Sequence, residues 1–137
     1  MKPRGFVNPY SFYAPKEIKA WPRGLPLELI QSRDVDLSTA SSESATTLDD
    51  LEFKISLWQG LVDGDPDLDA IHRLVYQSEF DFIKKEPIVL RGGMYSPFNS
   101  QNTLWADSAV FPLLYLPTTV SFRYTDILRS YVALAIM

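Results

Sequence analysis

Apolar and polar positions along this chain fall into a few patterned runs, divided by proline-rich and serine-rich stretches. Residues 1–30 hold Pro3, Pro9, Pro15, Pro22 and Pro26. Each proline removes a backbone donor and clashes with a preceding helical turn. The spacing therefore predicts extended segments and turns, with a short helix from Leu27 to Ser32. "LEFKISLWQGLV" (Leu51–Val62) alternates at Phe53, Ile55 and Leu57 and then turns almost wholly apolar, as a buried strand does. "DGDPDLDAIHRLVYQ" turns and enters a helix. Asp65 suits its N-cap, Pro66 its first position, and Asp67 and Asp69 the positive end of its dipole. Leu68, Ile71, Leu74 and Val75 make its apolar stripe.

The second half repeats the alternation. "EPIVLRGGMYSPFNSQNTLW" reads as two short extended pieces split by Gly92–Gly93, ending in a polar turn. "ADSAVFPLLYL" predicts a short helix capped at Asp107 or Ser108, with Pro112 in its first turn or ending it early. "PTTVSFRY" is an extended connector. "TDILRSYVALAIM" predicts a helix with Ile127, Leu128, Tyr131, Leu134 and Ala135 on one face. Strands alternating with helices predict an α/β layer architecture. "DLSTASSESATTLDD" (Asp36–Asp50) is too poor in large apolar residues to offset its own ordering and reads as a flexible connector.

Composition narrows the possibilities. The 137 residues suit one domain, and 46% apolar with 22% charged residues is ordinary for a globular protein. Three Trp, seven Tyr and eight Phe make it rich in aromatics. A net charge of −4 without a basic run argues against binding nucleic acid, where lysines and arginines must replace counterions. No cysteine is present, so disulfides and thiolate metal sites are excluded. No run reaches the ~18 apolar residues of a membrane span, and the N-terminal stretch lacks the apolar core of a signal peptide. The last helical pattern stops without a Gly, Asn or Pro, and the first apolar run starts with almost no lead-in. The chain reads as a piece of a longer domain, cut at one or both ends, with a complete domain with frayed ends as the alternative.

Four places carry candidate chemistry. Asp63 and Asp65 have the Asp-x-Asp spacing that can hold a hard cation through oxygen ligands. An acidic turn before a helix has the same look, and capping is the simpler reading. His72 is the one histidine, and nothing nearby in the sequence supplies partners for a metal site or a triad. "NSQNT" (Asn99–Thr103) clusters amides and hydroxyls that suit either sugar hydroxyls or a self-bonded turn. Asp126 and Arg129 lie three apart and share a helix face, as an ion pair or as a carboxylate available for chemistry. No phosphate-cradling glycine loop, nucleophile elbow or zinc pattern is present.

Four segments in order, "WPRGLPLELI", "LWQGLVDGDPDLDAIHRL", "SPFNSQNTLW" and "RYTDILRSYVALAI", resemble the STELLO-type glycosyltransferase-like family. That family shows Trp-Pro-Arg-Gly-Phe-Pro-Leu, Gly-x-Pro-Asp-Val-Asp, Pro-x-Asn-Ser-x-Asn-Thr and Asp-Ile-(Trp/Leu)-Arg-(Gly/Ser)-Tyr. The likeness spans about residues 8–137. A more distant similarity links Asn8, Ala20–Leu27, Leu57–Ala70 and Arg123–Ser130 to the reversibly glycosylated polypeptides, the plant UDP-arabinopyranose mutases. The resemblance implies the acceptor-side half of a GT-A-like α/β fold that handles a nucleotide-diphosphate sugar and a carbohydrate or protein acceptor. It implies a divalent Mn or Mg ion held by residues outside this chain, which leaves Asp63 and Asp65 as turn and cap. It also implies possible partner subunits of a polysaccharide-synthesising complex and, from the plant members, a lumenal Golgi setting. Arg23 matches the arginine that the reversibly glycosylated family modifies. That family's second arginine falls at Ile30, which puts self-glycosylation in doubt and leaves Arg23 for phosphate or sugar, with Trp21 and Leu25 packed behind it. Trp21, Asn99, Asn102 and Arg129 join Arg23 as candidate substrate contacts, and Asp126 is an implied acceptor base. Two other readings stand beside it: a transferase-like domain without catalysis, serving assembly, and a nucleotide-sugar mutase, the close chemical variant.

Overall fold

Two long-range attachments organise the molecule, one at each side of the turn 21–25. The computed structural model describes residues 5–31, 45–46, 54–76, 79–90 and 92–137. The elements run β1 (Gly5–Phe6), α1 (Pro9–Tyr13), β2 (Ala45–Thr46), β3 (Leu57–Gln59), α2 (Ala70–Tyr76), β4 (Val89–Leu90), β5 (Met94–Tyr95), β6 (Thr103–Trp105) and α3 (Thr125–Ile136). β1 pairs in parallel with β5, while β2–β4 and β3–β6 pair antiparallel. Helix and strand are thus mixed, but the described strands form three separate two-stranded ladders. Of the serine-rich stretch 36–50 only 45–46 is described, so its reading as a connector lies mostly outside the described residues.

α1 departs from the expectation of extended chain and turns over residues 1–30, and its first turn shows why a proline there is tolerated. The Asn8 side chain accepts from the backbone N–H of Tyr10 at 3.1 Å, and Pro9 takes the first position. The same Asn8 donates through Nδ2 to the carbonyl of Ala20 at 2.8 Å, which ties α1 to the turn that follows. The core gathers Tyr10, Tyr13, Ala14, Ala20, Leu68, Phe80 and Phe82. Tyr10 meets Phe82 edge-on at 4.9 Å, and Phe80 meets Phe82 at 5.1 Å. Each such ring removed from water contributes roughly 1.5–3 kcal/mol.

Several sequence expectations shift. Of the strand expected over Leu51–Val62, residues 51–53 lie outside the described residues, and the described part is strand at Leu57–Gln59, paired to Thr103–Trp105 in the register Trp58↔Leu104. The helix expected from Asp65 begins at Ala70, and Asp69 is its cap, accepting from Ile71 N at 2.9 Å. The cause is tertiary. Pro22 and Leu68 form an antiparallel bridge, and the Asp67 carbonyl accepts from Arg23 N at 3.0 Å, so residues 66–68 are held out of the helix. The proposed stripe on α2 faces outward as well. Ile71, Leu74 and Val75 are exposed, while Leu68 and His72 are buried. In α3 the buried face is Ile127, Arg129, Ser130 and Ala133, and Ala135 is exposed. Of the short helix expected from Leu27 to Ser32, Ser32 lies outside the described residues and the described part holds one 3-10 turn, Leu27–Leu29. A second 3-10 turn spans Ser108–Leu113 under an Asp107 cap, with Pro112 inside it. The connector before α3 holds a third, Phe122–Tyr124. No helix among the described residues is long and apolar enough to cross a membrane.

Candidate functional site

The turn at 21–25 can meet α3 only because position 24 lacks a side chain. Gly24 has φ 92°, and a Cβ there would stand 2.7 Å from Ile127 Cγ2 and 3.2 Å from Pro97 Cβ. The Tyr131 hydroxyl donates to the Gly24 carbonyl and fastens the contact. Trp21 and Leu25 are buried on either side. Arg23 is therefore delivered to the first turn of α3 by a backbone that has little freedom to move.

All three guanidinium nitrogens of Arg23 are engaged. Nε lies 3.0 Å from both Asp67 oxygens, and Nη2 donates to Asp67 Oδ2 and to Asp126 Oδ2, each at 2.8 Å. Nη1 donates to the carbonyl of Arg123. Burial disfavours the charge of Arg23, but the two carboxylates outweigh it and raise its pKa further above neutral pH. The Arg23 and Asp126 side chains are 20% and 17% exposed, so the cluster is reachable from solvent.

Asp126 is held from three directions. Besides Arg23, its Oδ2 accepts from the backbone N–H of Ser100 at 3.2 Å and its Oδ1 from Ile127 N at 3.0 Å. Burial pushes its carboxyl pKa up, yet the Arg23 contact and the two backbone donors prevail and hold it below the usual range. Asp126 is thus ionised at neutral pH.

The loop 99–103 closes the site. Asn99 is buried, and its Nδ2 donates to Asp67 Oδ2 at 2.8 Å. Its backbone N–H donates to Gln59 Oε1 at 3.2 Å, and Thr103 Oγ1 reaches the same Gln59 oxygen at 2.8 Å. Gly60 lets the loop approach, because a Cβ there would fall 2.2 Å from Asn102 Nδ2. Asn102 itself donates to the Leu61 carbonyl at 3.2 Å, and it is exposed beside the cluster rather than inside it. Arg129, one turn beyond Asp126, does not pair with it; its Nη2 donates to Ser100 Oγ. The site therefore holds two guanidinium groups and two carboxylates, balanced in charge.

The structure brings Arg23, Asn99, Asp126 and Arg129 into one neighbourhood. Asp67 and Gln59 join them, though the sequence reading placed neither there. Asp67 lies in an acidic turn where every carboxylate suits a helix dipole, and only the bridge to Pro22 reveals its other use. Gln59 follows an apolar run and precedes Gly60, and that close glycine was the one available signal. Trp21 lies behind the site, its ring edge-on to His72 at 4.8 Å. His72 is 1% exposed and packs among rings. Asp63 Oδ1 accepts from Phe82 N at 3.0 Å, and Asp65 pairs with Arg73 Nη1 at 2.7 Å. Those two carboxylates face different partners, and no group of three His, Cys, Asp or Glu able to hold a metal occurs among the described residues. They do not fit a cation site.

Comparison with known proteins adds the family. No family model matches the chain, and no solved structure does. Two curated proteins of Arabidopsis thaliana do. The chain is 33% identical over 134 residues to the probable glycosyltransferase STELLO2 and 34% identical over 134 residues to the probable glycosyltransferase STELLO1. Each match covers 93% of this chain and 16% of the relative, so the chain spans about one-sixth of the length of the relatives it matches. Over the segment it shares with them, the chain belongs to the STELLO-type glycosyltransferase-like family.

Proposed function

We propose that this chain is the acceptor-side part of a GT-A-like domain that transfers a sugar from a nucleotide-diphosphate donor, with Asp126 at its chemical centre. The contact of Arg23 with Asp126 at 2.8 Å carries the reading, because two segments 103 residues apart converge on one ionised, solvent-reachable carboxylate. In the transfer step an acceptor hydroxyl attacks the anomeric carbon. The new C–O bond forms as the bond to the diphosphate breaks, and the hydroxyl proton passes to Asp126. Arg23 holds that carboxylate ionised and aimed. A phosphate contact by Arg23 would require it to release one of its present partners. Asn102 and the exposed edge of the loop would meet sugar hydroxyls, while the buried Asn99, bonded to Asp67, would hold that loop in place. A divalent Mn or Mg ion held elsewhere in the full domain would neutralise the leaving diphosphate. The lumenal Golgi setting implied by the resemblance belongs to the same reading.

A domain without catalysis, acting in assembly with polysaccharide-synthesising subunits, has one observation in its favour. The pairing that ionises Asp126 also weakens it as a base. Calorimetry of the full-length protein with nucleotide sugars and Mn²⁺, followed by a transfer assay, separates the two. Donor binding and turnover are expected, with Asp126→Asn lowering turnover about 100-fold or more while binding persists. If no nucleotide sugar binds, the enzymatic reading fails and the assembly reading stands.

A further inference from the structure

Two arginines stand in this site, and their donors are used in opposite ways. Arg23 has every nitrogen engaged, with two carboxylates on it. Arg129 is 6% exposed, yet among the described residues its only hydrogen bond runs from Nη2 to Ser100 Oγ. Its Nε is buried with no partner, and no carboxylate lies within ion-pairing distance among the described residues. Its other neighbour is the face of Trp105, 6.0 Å from the guanidinium carbon. An aromatic face attracts a cation, but it satisfies no N–H.

A guanidinium buried in this way is costly unless an anion meets it. Its planar fork matches the paired oxygens of a phosphate or carboxylate, which a lysine would meet only as a point charge. Ser100 sits beside it with a hydroxyl that can turn to donate, since its oxygen already accepts from Arg129. The Ser100 backbone N–H is committed to Asp126, so the same residue joins the carboxylate end of the site to the Arg129 end.

We propose that Arg129, with Ser100 beside it, is the oxyanion-binding group of this site. It takes a phosphate oxygen of a diphosphate or the carboxylate of an acidic sugar, while Arg23 is reserved for holding Asp67 and Asp126. The assignment rests on the transferase reading only in making that anion part of a sugar substrate. Anion binding itself can be measured without any turnover.

The test is a titration of the isotopically labelled chain at constant ionic strength, following the arginine Nε–H signals. The probes are sodium pyrophosphate, acetate and glucuronate. The Arg129 signal is expected to shift saturably with at least one probe while the Arg23 signal holds still. Response to pyrophosphate alone identifies a phosphate source, and response to glucuronate and acetate a carboxylate source. Arg129→Gln should weaken binding more than tenfold. Should that variant fail to fold, Arg129→Lys keeps the charge without the fork, and roughly tenfold weakening is expected. No shift with any probe, a shift at Arg23 instead, or unchanged binding in Arg129→Lys overturns the proposal. Binding through Arg129 in a full-length protein that shows no transfer overturns the enzymatic reading and leaves this one in place.

Discussion

Trp21 and Arg23 leave the same short turn for two very different neighbourhoods. Around Arg23, two carboxylates and a carbonyl meet all three nitrogens, and Asn99, Ser100 and Ile127 add donors to those carboxylates. Around Trp21 the contacts are rings. His72 stands edge-on at 4.8 Å, and Tyr76 lies 5.0 Å from His72. There the indole Nε1 and both His72 ring nitrogens are buried with no hydrogen-bond partner among the described residues. Directional bonds specify one arrangement and few alternatives, which is what a carboxylate with a chemical task needs. Ring packing stabilises by area and tolerates slippage, but each unmet polar atom subtracts about 1–3 kcal/mol. The turn thus anchors a precise polar site on one side with a less discriminating aromatic wedge on the other.

The sharpest way to break the comparison is to push the turn off α3, which should disturb both neighbourhoods together. Gly24→Ala places a Cβ 2.7 Å from Ile127 Cγ2 at a φ of 92°, and a loss of about 3 kcal/mol is expected in urea unfolding. An unchanged midpoint would mean that the turn does not seat against the helix. Next in size is Arg23→Ala, which leaves Asp67 and Asp126 with no cation between them. The pair is only partly buried, so about 2 kcal/mol at neutral pH is expected rather than the full value for a dry site. The pH dependence gives a second readout. Asp126 has a folded pKa below its ordinary 3.8, so its contribution is present above that value and is lost as pH falls through the folded pKa. That acid loss should shrink in Arg23→Ala, with the Ser100 and Ile127 N–H donors retaining part of it. If it is undiminished, Arg23 is not what holds the Asp126 pKa down.

Elements were legible in the sequence where pattern is local. α3 was readable from its unbroken apolar periodicity, and the break at Gly92–Gly93 from its turn chemistry. Its buried face was not, because Ser130 can lie at 0% exposure by donating to the Ile127 carbonyl at 2.7 Å. The start of α2 was misread because Asp65, Asp67 and Asp69 suit a cap equally well by type, and the bridge to Pro22 that decides among them is 46 residues away in the chain. The site shows the same division. Asp126 stood out by its spacing to Arg129, but only likeness to a family joined it to Arg23, since no periodicity links two side chains so far apart. Asp67 was hidden in a turn with a sufficient local explanation.

The smallest effect tests the aromatic side alone. Burial lowers the His72 pKa, and the nearby Lys19 backbone opposes this only in part. A depressed folded pKa means stability that is complete above the ordinary 6.5 and is lost as pH falls below it toward the folded value. Between pH 6.5 and 5 the slope can reach at most about 1.4 kcal/mol per pH unit, because one proton is involved. Protonation would place a charge between Trp21 and Tyr76, next to a cavity of about 180 Å³ that also touches Arg73, Asp65 and Glu79. Arg73 would repel that charge, and Asp65, which could meet it, already pairs with Arg73 at 2.7 Å. His72→Phe removes the titrating group, keeps a ring and deletes two unmet nitrogens. Its unfolding midpoint should be flat across that range and at neutral pH equal to or above that of the wild type. A wild-type midpoint that does not fall below pH 6.5 would show that the ring nitrogens are met after all, and the contrast between the two sides of the turn would then be one of shape rather than of polar satisfaction.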